Sequence, residues 1–409
     1  MRVTELIGKK VIVAPFNAYG VITYERLKAS GVCVRAFFDK NIKYHNTQYE
    51  DIPVYPWAYF HDTYIVIGHE QYNEEFIEFL SSIRYPEEYI LKQSDIEFEC
   101  SYDDANLSID RQEFEKHFGW SQGMAVSQKM AGIRKKYPST DYSILTEMPI
   151  IITTRCTLNC KYCFAKTPYF QKKEDVDIDF IISEIEKVLS VVDFISYFAI
   201  FGGEPLLHKD LWRLIKYLNQ PKVQEKVGYF EILTNGTVLL DDKAVEQILE
   251  NKWFWRISYS SYGQYATKQF ELFEQLNRSG IFYYERHMSY WHKYGEISEP
   301  DCIKESSYEK CKSCCCYVPT FFDGKMYSCE VLPLAGYLKM FPDDKRNYLD
   351  IFSEEFTKEN FHKFIHSSQP AMAWCNGNHK VNNSDDDFTA ERIPVAEQAK
   401  GILPYKRYE

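Results

Sequence analysis

PIIITTRCTLNCKYC, residues 149–163, joins an apolar run to three closely spaced cysteines. The run at 149–154 has the length and the β-branched composition of a buried strand. Cys156, Cys160 and Cys163 then fall on the loop that follows this strand. Three thiolates on one loop can hold three irons of a cubane iron–sulfur cluster, because cysteine thiolate is the usual ligand of such clusters. The fourth iron would stay open, as a metal site requires if it is to do chemistry.

The alternation of apolar strand and amphipathic helix continues beyond the cysteine loop. We predict strands at 149–154, 195–201, 229–233, 254–259 and 281–285, separated by helices at 177–191, 209–219, 242–251 and 264–279. Repeated βα units form a parallel sheet that is closed or partly closed into a barrel. The residues that follow each strand should therefore converge on one face, where active sites collect.

Glycine-rich and polar segments follow these strands directly. They are Gly202, Gly203, Glu204 and Pro205 after the second strand, Thr234, Asn235 and Gly236 after the third, and Ser258 and Ser260 at the end of the fourth. Glycines let a backbone approach a ligand, and a glutamate offers a carboxylate to an ammonium group. Arg286 follows the fifth strand and is either a partner for a ligand carboxylate or a surface residue.

The C-x3-C-x2-C spacing and the ordered segments after it resemble the radical S-adenosylmethionine (SAM) superfamily, over residues 147–376. The resemblance implies a 4Fe–4S cluster on the three cysteines and cleavage of SAM to a 5′-deoxyadenosyl radical. It also implies SAM contacts from the four segments above and an adenine contact from Tyr162. Two alternatives are chance clustering and a structural zinc site, but zinc needs a fourth ligand, and the next histidine along the chain is His208.

A second group of cysteines lies towards the end of the chain. The spacing from Cys311 and Cys314 through Gly324 to Cys329 resembles the SPASM and twitch extensions of the same superfamily, which bind auxiliary iron–sulfur clusters. Asp323 and Gly324 predict a tight hairpin turn. We expect one auxiliary cluster, of the 4Fe–4S type, whose ligands are Cys311, Cys314, Cys329 and Cys375. Cys315 or Cys316 could replace Cys314, and a structural zinc site on the same ligands stays open.

The first ninety residues alternate strand and helix and predict a Rossmann-like unit. The stretch 51–55 resembles nucleotide-fold domains of surface-polysaccharide biosynthesis proteins. The glycine fingerprint of a dinucleotide site is missing, because 14–20 is APFNAYG and keeps only the last glycine. Asp39 is either the ribose-binding acid or a turn residue. Dinucleotide binding and a docking role both stay open for this unit.

We therefore predict an α/β protein in four segments. They are a Rossmann-like domain at 1–92, a connector packed between domains at 93–145, a partial parallel (β/α)6 barrel at 146–295 and a cysteine-rich, twitch- or SPASM-like extension at 296–409. A chain of 409 residues is longer than one core usually supports, which agrees with several packed units.

The composition of the chain limits the kinds of molecule that the protein is expected to bind. A formal charge of −11 argues against nucleic acid, which calls for a basic face. No apolar run is long enough to span a membrane, and we expect a reducing, cytoplasmic compartment. Eight of the twelve cysteines lie within 156–163 and 302–316, and in such a compartment clustered cysteines suggest metal ligands. We expect a small-molecule substrate, a sugar or nucleotide sugar, with flavodoxin or ferredoxin as electron donor. A peptide-modifying enzyme and a non-catalytic metal sensor are the alternatives.

Overall fold

The structure is a computed structural model that describes residues 1–58, 60–68, 73–118, 122–136, 143–287, 290–292, 296–300, 311, 317–375 and 392–408. The chain divides into two compact units, Met1–Thr140 and Asp141–Glu409. None of the helices in the described ranges has the length and apolar character that a bilayer crossing requires. Each unit is described by itself below.

The first unit is built around a mostly parallel sheet. Its elements are β1 (Lys10–Ala14), α1 (Ala18–Ala29), β2 (Val34–Phe38), β3 (Gln48–Tyr49), β4 (Ile52–Tyr55), β5 (Thr63–Ile67), α2 (Asn73–Ser82), β6 (Ile90–Lys92), α3 (Tyr102–Ser108), α4 (Arg111–Phe118) and α5 (Gln122–Lys136). The strand order is β3-β4-β2-β1-β5-β6, in which only β3 pairs antiparallel. The chain builds the sheet outward from β1 in one direction and then, from β5 on, in the other, as in doubly wound α/β folds.

Most of the predicted connector, up to Thr140, belongs to the first compact unit. Helix α3 packs against α1, and Ile96, Ala105 and Phe114 are buried in the same core as Val13 of the central strand. Their apolar side chains are covered by this sheet, so the compact unit extends to Thr140 and not to residue 92.

In the first unit, the Asp39 side chain accepts hydrogen bonds from backbone amides of the protein itself. Its carboxylate accepts hydrogen bonds from the amide nitrogens of Phe16 at 3.0 Å and Asn41 at 2.7 Å, and the side chain is buried. Gly20 is needed for packing, since a Cβ there would lie 2.0 Å from the carbonyl oxygen of Pro15. These contacts agree with the turn-residue interpretation of Asp39.

The second unit contains the cysteine loop. Its elements are β7 (Ile144–Thr153), α6 (Ile178–Val191), β8 (Phe194–Gly202), α7 (Leu211–Leu218), α8 (Pro221–Gln224), β9 (Val227–Thr234), α9 (Asp242–Glu250), β10 (Trp255–Ser261), α10 (Gln269–Ser279), β11 (Tyr283–His287), β12 (Trp291–His292), β13 (Thr320–Phe322), β14 (Lys325–Tyr327), α11 (Leu332–Tyr337), β15 (Leu349–Asp350), α12 (Lys358–Ile365) and β16 (Arg392–Ile393).

Strands β7 to β11 lie side by side in chain order and are all parallel, which confirms the predicted α/β partial-barrel core. A sixth parallel strand, β13, comes from the C-terminal part of the chain and pairs with the free side of β7. Strands β14 and β15 extend this edge in antiparallel pairs. The cysteine-rich extension therefore continues the sheet of the core.

Alternate residues of the strands face two different environments, as the period of two requires. Phe230 and Ile232 of β9 lie in the core that the helices cover, together with Ile181 and Leu214. Glu231, between them, faces the opposite side of the sheet. Its buried carboxylate pairs with the guanidinium groups of Arg256 and Arg286 there. One face of the sheet thus holds the core, and the other carries a network of charged groups.

The predicted Asp-Gly hairpin is confirmed between β13 and β14. Asp323 and Gly324 have φ angles of 54° and 73°, and the flanking strands pair antiparallel. Positive φ at both central residues is what a type I′ turn, a common two-residue hairpin turn, requires. The amide nitrogen of Gly324 donates to Oε1 of buried Glu184 on α6 at 2.6 Å, which ties the turn to the barrel core.

Candidate active site

The cysteine loop begins where β7 ends. Thr153 Oγ1 accepts a hydrogen bond from the amide nitrogen of Arg155 at 3.0 Å and turns the chain out of the strand. The guanidinium of Arg155 pairs with the Asp175 carboxylate at 2.8 Å and donates to the carbonyl oxygen of Leu207 at 3.2 Å. The start of the loop is therefore held by three separate parts of the chain.

The three cysteines lie within electrostatic range of one another. Burial, together with the charge of the neighbouring thiols, raises the pKa of the Cys156 thiol and of the Cys160 thiol to about 12. Such thiols stay protonated unless a metal centre compensates the charge of the thiolates. In the described ranges no three His, Cys, Asp or Glu side chains are grouped to hold one metal ion. A cubane cluster does not need three ligands around one ion, because each thiolate binds a different iron of the cluster.

Gly203 brings the end of β8 onto the cysteine loop. Its amide nitrogen donates to the carbonyl oxygen of Thr153 at 2.8 Å, and that of Glu204 donates to the carbonyl oxygen of Arg155 at 2.7 Å. A Cβ on Gly203 would lie 2.0 Å from that same Arg155 oxygen. Only a glycine allows this approach. Gly202 turns the chain at the preceding position with a φ of 146°.

The Glu204 carboxylate is fully buried between two strand ends. Its Oε1 accepts hydrogen bonds from the Leu206 amide at 3.1 Å and the Thr234 hydroxyl at 3.0 Å. Its Oε2 accepts from the amide of Asn235 at 2.8 Å. Burial raises the pKa of Glu204 to about 7, although these hydrogen bonds act to lower it. Pro205 is also buried and opens a short 3-10 helix to Leu207.

Asn235 connects the end of β9 to the first cysteine. Its side-chain amide nitrogen lies 3.5 Å from Cys156 Sγ and 3.4 Å from Thr157 Oγ1. Its Oδ1 accepts hydrogen bonds from the Thr237 amide at 3.0 Å and hydroxyl at 2.6 Å, which fixes the orientation of the amide. The predicted Thr-Asn-Gly segment and the predicted triplet are thus brought together.

The end of β10 supplies Ser258, Ser260 and an unpredicted tyrosine. Ser258 is fully buried, and its hydroxyl has no hydrogen-bond partner in the part of the chain that the structure describes. Tyr262 hydrogen-bonds to Ser260 and lies within electrostatic range of Cys156, Cys160 and Cys163, while burial raises its pKa. The orphaned Ser258 hydroxyl and the grouped thiols fit a polar ligand beside a metal centre.

Arg286 and Tyr162, both predicted to contact SAM, have different surroundings. Arg286 donates to Glu231 Oε1 at 3.0 Å and to the Tyr284 hydroxyl at 2.9 Å, within the charged face of the sheet. Its guanidinium is therefore engaged by the protein, while its SAM contact stays a prediction. Tyr162 borders a cavity of about 410 Å³ together with Cys163 and Lys166.

Three predicted auxiliary ligands lie in the described part of the chain. Cys311, Cys329 and Cys375 are all half-buried. Cys329 Sγ accepts from the Val331 amide at 3.5 Å, and Cys375 forms a β-bridge with Ile297. Cys314 lies outside the described residues, as do Cys302, Cys315 and Cys316, so the complete ligand set stays a prediction.

Sequence analysis missed Lys166, which lies between the two cysteine groups. Its side chain is 5% exposed and lines the same cavity as Cys163. Burial lowers the pKa of its ammonium, while the nearby thiols of Cys375, Cys163 and Cys329 oppose that shift. Its position three residues after the triplet was visible in the sequence, but nothing there indicated burial.

Gln398 was also missed. Its side-chain nitrogen lies 3.4 Å from Cys160 Sγ, although the two residues are 238 positions apart. No motif in the sequence connects them, and only the return of the C-terminal segment brings them together.

The parallel partial barrel and its three-cysteine loop define an iron–sulfur enzyme domain. Residues 150–260 match the family model of the Radical SAM superfamily. The part of the chain that contains the cysteine loop is therefore similar to the radical SAM domain, a domain of enzymes. A 4Fe–4S cluster and SAM, the cofactors expected from the sequence, are those of this superfamily.

Individual relatives cover parts of the chain. A GTP 3′,8-cyclase of Staphylococcus carnosus is 29% identical over 144 residues, which is 34% of this chain and 38% of that protein. An S-adenosylmethionine-dependent nucleotide dehydratase of Selenomonas ruminantium is 33% identical over 95 residues, 22% of this chain and 30% of that protein. The solved structure of BtrN with AdoMet and 2-DOIA covers 60% of this chain and 99% of that chain, at 14% identity and a TM-score of 0.37. The chain thus matches less than half the length of these two curated relatives.

Proposed function

We propose that the protein removes a hydrogen atom from a carbohydrate or nucleotide-linked sugar, with oxidation, epimerisation or dehydration as the outcome. The bound cluster and SAM supply the reductive cleavage that yields the 5′-deoxyadenosyl radical. The observation that carries the proposal is the convergence of strand ends on the cysteine loop. The Glu204 amide donates to the carbonyl oxygen of Arg155 at 2.7 Å, and the Asn235 side chain reaches Cys156 Sγ at 3.5 Å.

The residues around the loop have separate tasks in this proposal. Glu204 offers a buried carboxylate to the SAM ammonium, since no lysine, arginine or histidine of the described ranges pairs with it. Ser258 offers an unpartnered hydroxyl. Asn235 orients the thiol of Cys156. Enclosure by these groups excludes water from the reacting atoms.

The cavity beside Tyr162 supports a polar, small-molecule substrate. Its volume of about 410 Å³ is in the range of small-ligand sites. Aromatic, cationic and acidic side chains mix in its lining, among them Tyr162, Tyr169, Lys166 and Glu296. Such a lining can stack on a ring and hydrogen-bond to hydroxyl or phosphate groups.

Two relatives are named for nucleotide chemistry, a GTP cyclase and a nucleotide dehydratase, and this favours a nucleotide-linked substrate. The resemblance of the first unit to polysaccharide-biosynthesis domains points the same way. The auxiliary cluster on Cys311, Cys314, Cys329 and Cys375 would accept the substrate's electron if the outcome is oxidation. Flavodoxin or ferredoxin is the proposed electron donor to the first cluster.

The test is anaerobic turnover of the full chain with SAM, a chemical reductant and a panel of nucleotide sugars. We expect 5′-deoxyadenosine above the substrate-free background, and deuterium in it when the sugar is labelled at the reacting carbon. The Cys160→Ala variant is the control. Deoxyadenosine at background with every sugar, but above it with peptides, would overturn the substrate proposal. Zinc as the only bound metal would instead indicate a sensor.

A further inference from the structure

The C-terminal segment pairs with the middle of the cysteine loop, at residues 159–161. Gln398 and Cys160 form an antiparallel β-bridge. The Lys161 amide donates to the Glu397 carbonyl oxygen at 2.6 Å, and the Ala399 amide donates to the Asn159 carbonyl oxygen at 2.7 Å. The loop that carries the triplet is therefore one strand of a two-stranded contact, and residues 396–401 are the other.

The side chain of Gln398 reaches back to the loop with both of its polar atoms. Its Oε1 accepts from the Asn159 amide at 2.7 Å. Its Nε2 lies 3.4 Å from Cys160 Sγ and donates to the Ala396 carbonyl oxygen at 2.5 Å. These contacts orient the amide so that an N–H points to the sulfur. Cys160 itself is only 6% exposed, so little water can compete for that sulfur.

A hydrogen bond to a cluster sulfur acts on the reduction potential. Reduction adds one negative charge, part of which resides on the sulfur ligands, and an N–H donor stabilises that charge. The effect is larger where water is excluded, because the local dielectric is low. A donor to Cys160 Sγ therefore makes one-electron reduction of the cluster more favourable.

We propose that Gln398 is a positioning residue that raises the reduction potential of the cluster held by Cys156, Cys160 and Cys163. The inference rests on the proposed function, because it requires a cubane on this triplet. In the reaction concerned, the external donor loses one electron and the cluster gains it, and no bond is made or broken.

Anaerobic redox titration of the full chain, followed by electron paramagnetic resonance, measures this effect. The signal that changes on adding SAM belongs to the cluster with the open iron, which separates it from any auxiliary cluster. The variants are Gln398→Met, which keeps the length and loses the donor, and Gln398→Glu, which replaces the amide by a carboxylate. The matched control is Glu397→Gln, which removes only a half-exposed ion pair to Lys161 at 3.4 Å on the same segment.

We expect Gln398→Met to lower the ratio of reduced to oxidised cluster about tenfold at a fixed potential, which is about 59 mV for a one-electron couple. Gln398→Glu should lower it further, and Glu397→Gln should match the wild type. Iron content should stay at the wild-type value in all three. An unchanged ratio in both Gln398 variants, an equal fall in Glu397→Gln, or loss of iron in both Gln398 variants would overturn the proposal. A wild-type protein without a SAM-sensitive cubane would overturn the proposed function as well.

Discussion

The carboxylate of Glu204 accepts a hydrogen bond from the amide nitrogen of Asn235 at 2.8 Å and ties the end of β8 to the end of β9. Asn235 in turn reaches Cys156 Sγ at 3.5 Å. One buried acid is therefore two contacts away from the first cysteine of the triplet. Burial raises its pKa to about 7, so its charge depends on whether a cation is bound.

The first prediction concerns SAM affinity and pH. The proposed SAM ammonium binds the ionised form of Glu204, so affinity should fall as the pH drops below about 7, where this acid takes up a proton. Glu204→Gln should weaken SAM binding about tenfold or more at pH 7.5, because a charged hydrogen bond contributes about 1.5–3 kcal/mol. The variant should also lose the pH dependence between pH 6 and 7.

Equilibrium binding of SAM to cluster-loaded protein measures this. Glu271→Gln, an exposed acid on α10, is the control and should bind SAM as the wild type does. Equal pH dependence in the Glu204→Gln variant and the wild type would show that another group controls the affinity.

The second prediction concerns the close approach at Gly203. A Cβ there would lie 2.0 Å from the carbonyl oxygen of Arg155, so Gly203→Ala must push the end of β8 away from the cysteine loop. We expect a loss of about 1–3 kcal/mol in the free energy of unfolding, as overpacking typically gives, and reduced iron incorporation.

Gly132→Ala is the matched control for this substitution. Gly132 lies inside α5, where the nearest atom to an added Cβ is 3.9 Å away. Alanine there should be neutral or stabilising by up to about 1 kcal/mol, because glycine disfavours the interior of a helix. Denaturant unfolding under anaerobic conditions compares the two. If Gly203→Ala unfolds at the wild-type denaturant concentration, the strand end is not held against the loop.

The third prediction separates the two groups of cysteines. Cys160→Ala should abolish 5′-deoxyadenosine formation, because it removes a ligand of the cluster that cleaves SAM. Cys329→Ala should spare SAM cleavage but impair turnover of the substrate. Deoxyadenosine and product, quantified from the same reactions, give both values. An equal loss of deoxyadenosine in the two variants would contradict this division of roles.

The fourth prediction concerns stability and pH at the hairpin. Burial raises the pKa of Glu184 to about 7, above its unfolded value, so the folded state holds a proton that the unfolded state releases. The contribution of this acid to stability is therefore largest below about pH 4.5 and falls as the pH rises to about 7. At about 1.4 kcal/mol per pKa unit, the fall is at most about 3.5 kcal/mol.

Glu184→Gln keeps an oxygen for the Gly324 amide and removes the titration. The unfolding free energy of this variant, relative to that of the wild type, should therefore increase as the pH rises from about 4.5 to about 7. Glu186→Gln, on the exposed side of the same helix, is the control, because Lys222 lowers the pKa of Glu186. A constant difference between Glu184→Gln and wild type over this range would mean that Glu184 is ionised throughout.

The sequence predicted the repeating core well because its signals are local. Each predicted strand and helix between 149 and 285 has its counterpart, with ends that differ by a few residues. The glycines of the second segment and the Asp323-Gly324 turn were also predicted, since a positive φ or a close approach selects glycine wherever it occurs. The prediction of a 4Fe–4S cluster at this site came from the cysteine triplet alone.

Other features depend on contacts between distant parts of the chain. Apolar residues of the predicted connector, such as Ala105 and Phe114, are buried in the core of the first unit, and α3 packs against α1. No local sequence pattern indicates this packing. The sixth parallel strand came from Thr320–Phe322 instead of following β11 in sequence. Periodicity gives the type of an element but not its neighbour in a sheet.

By itself, the sequence determined the likeness of residues 150–260 to the Radical SAM superfamily. Three thiols at a fixed spacing after a strand, followed by glycines and an acid after the next strand, can be recognised without knowledge of distant residues. Only the tertiary structure decided what surrounds those thiols. It put Gln398 3.4 Å from Cys160 and buried Lys166 between the two cysteine groups. The reason is physical: ligand type and loop spacing are encoded over a few residues, whereas the hydrogen bonds and charges around a metal centre come from segments that only folding brings together.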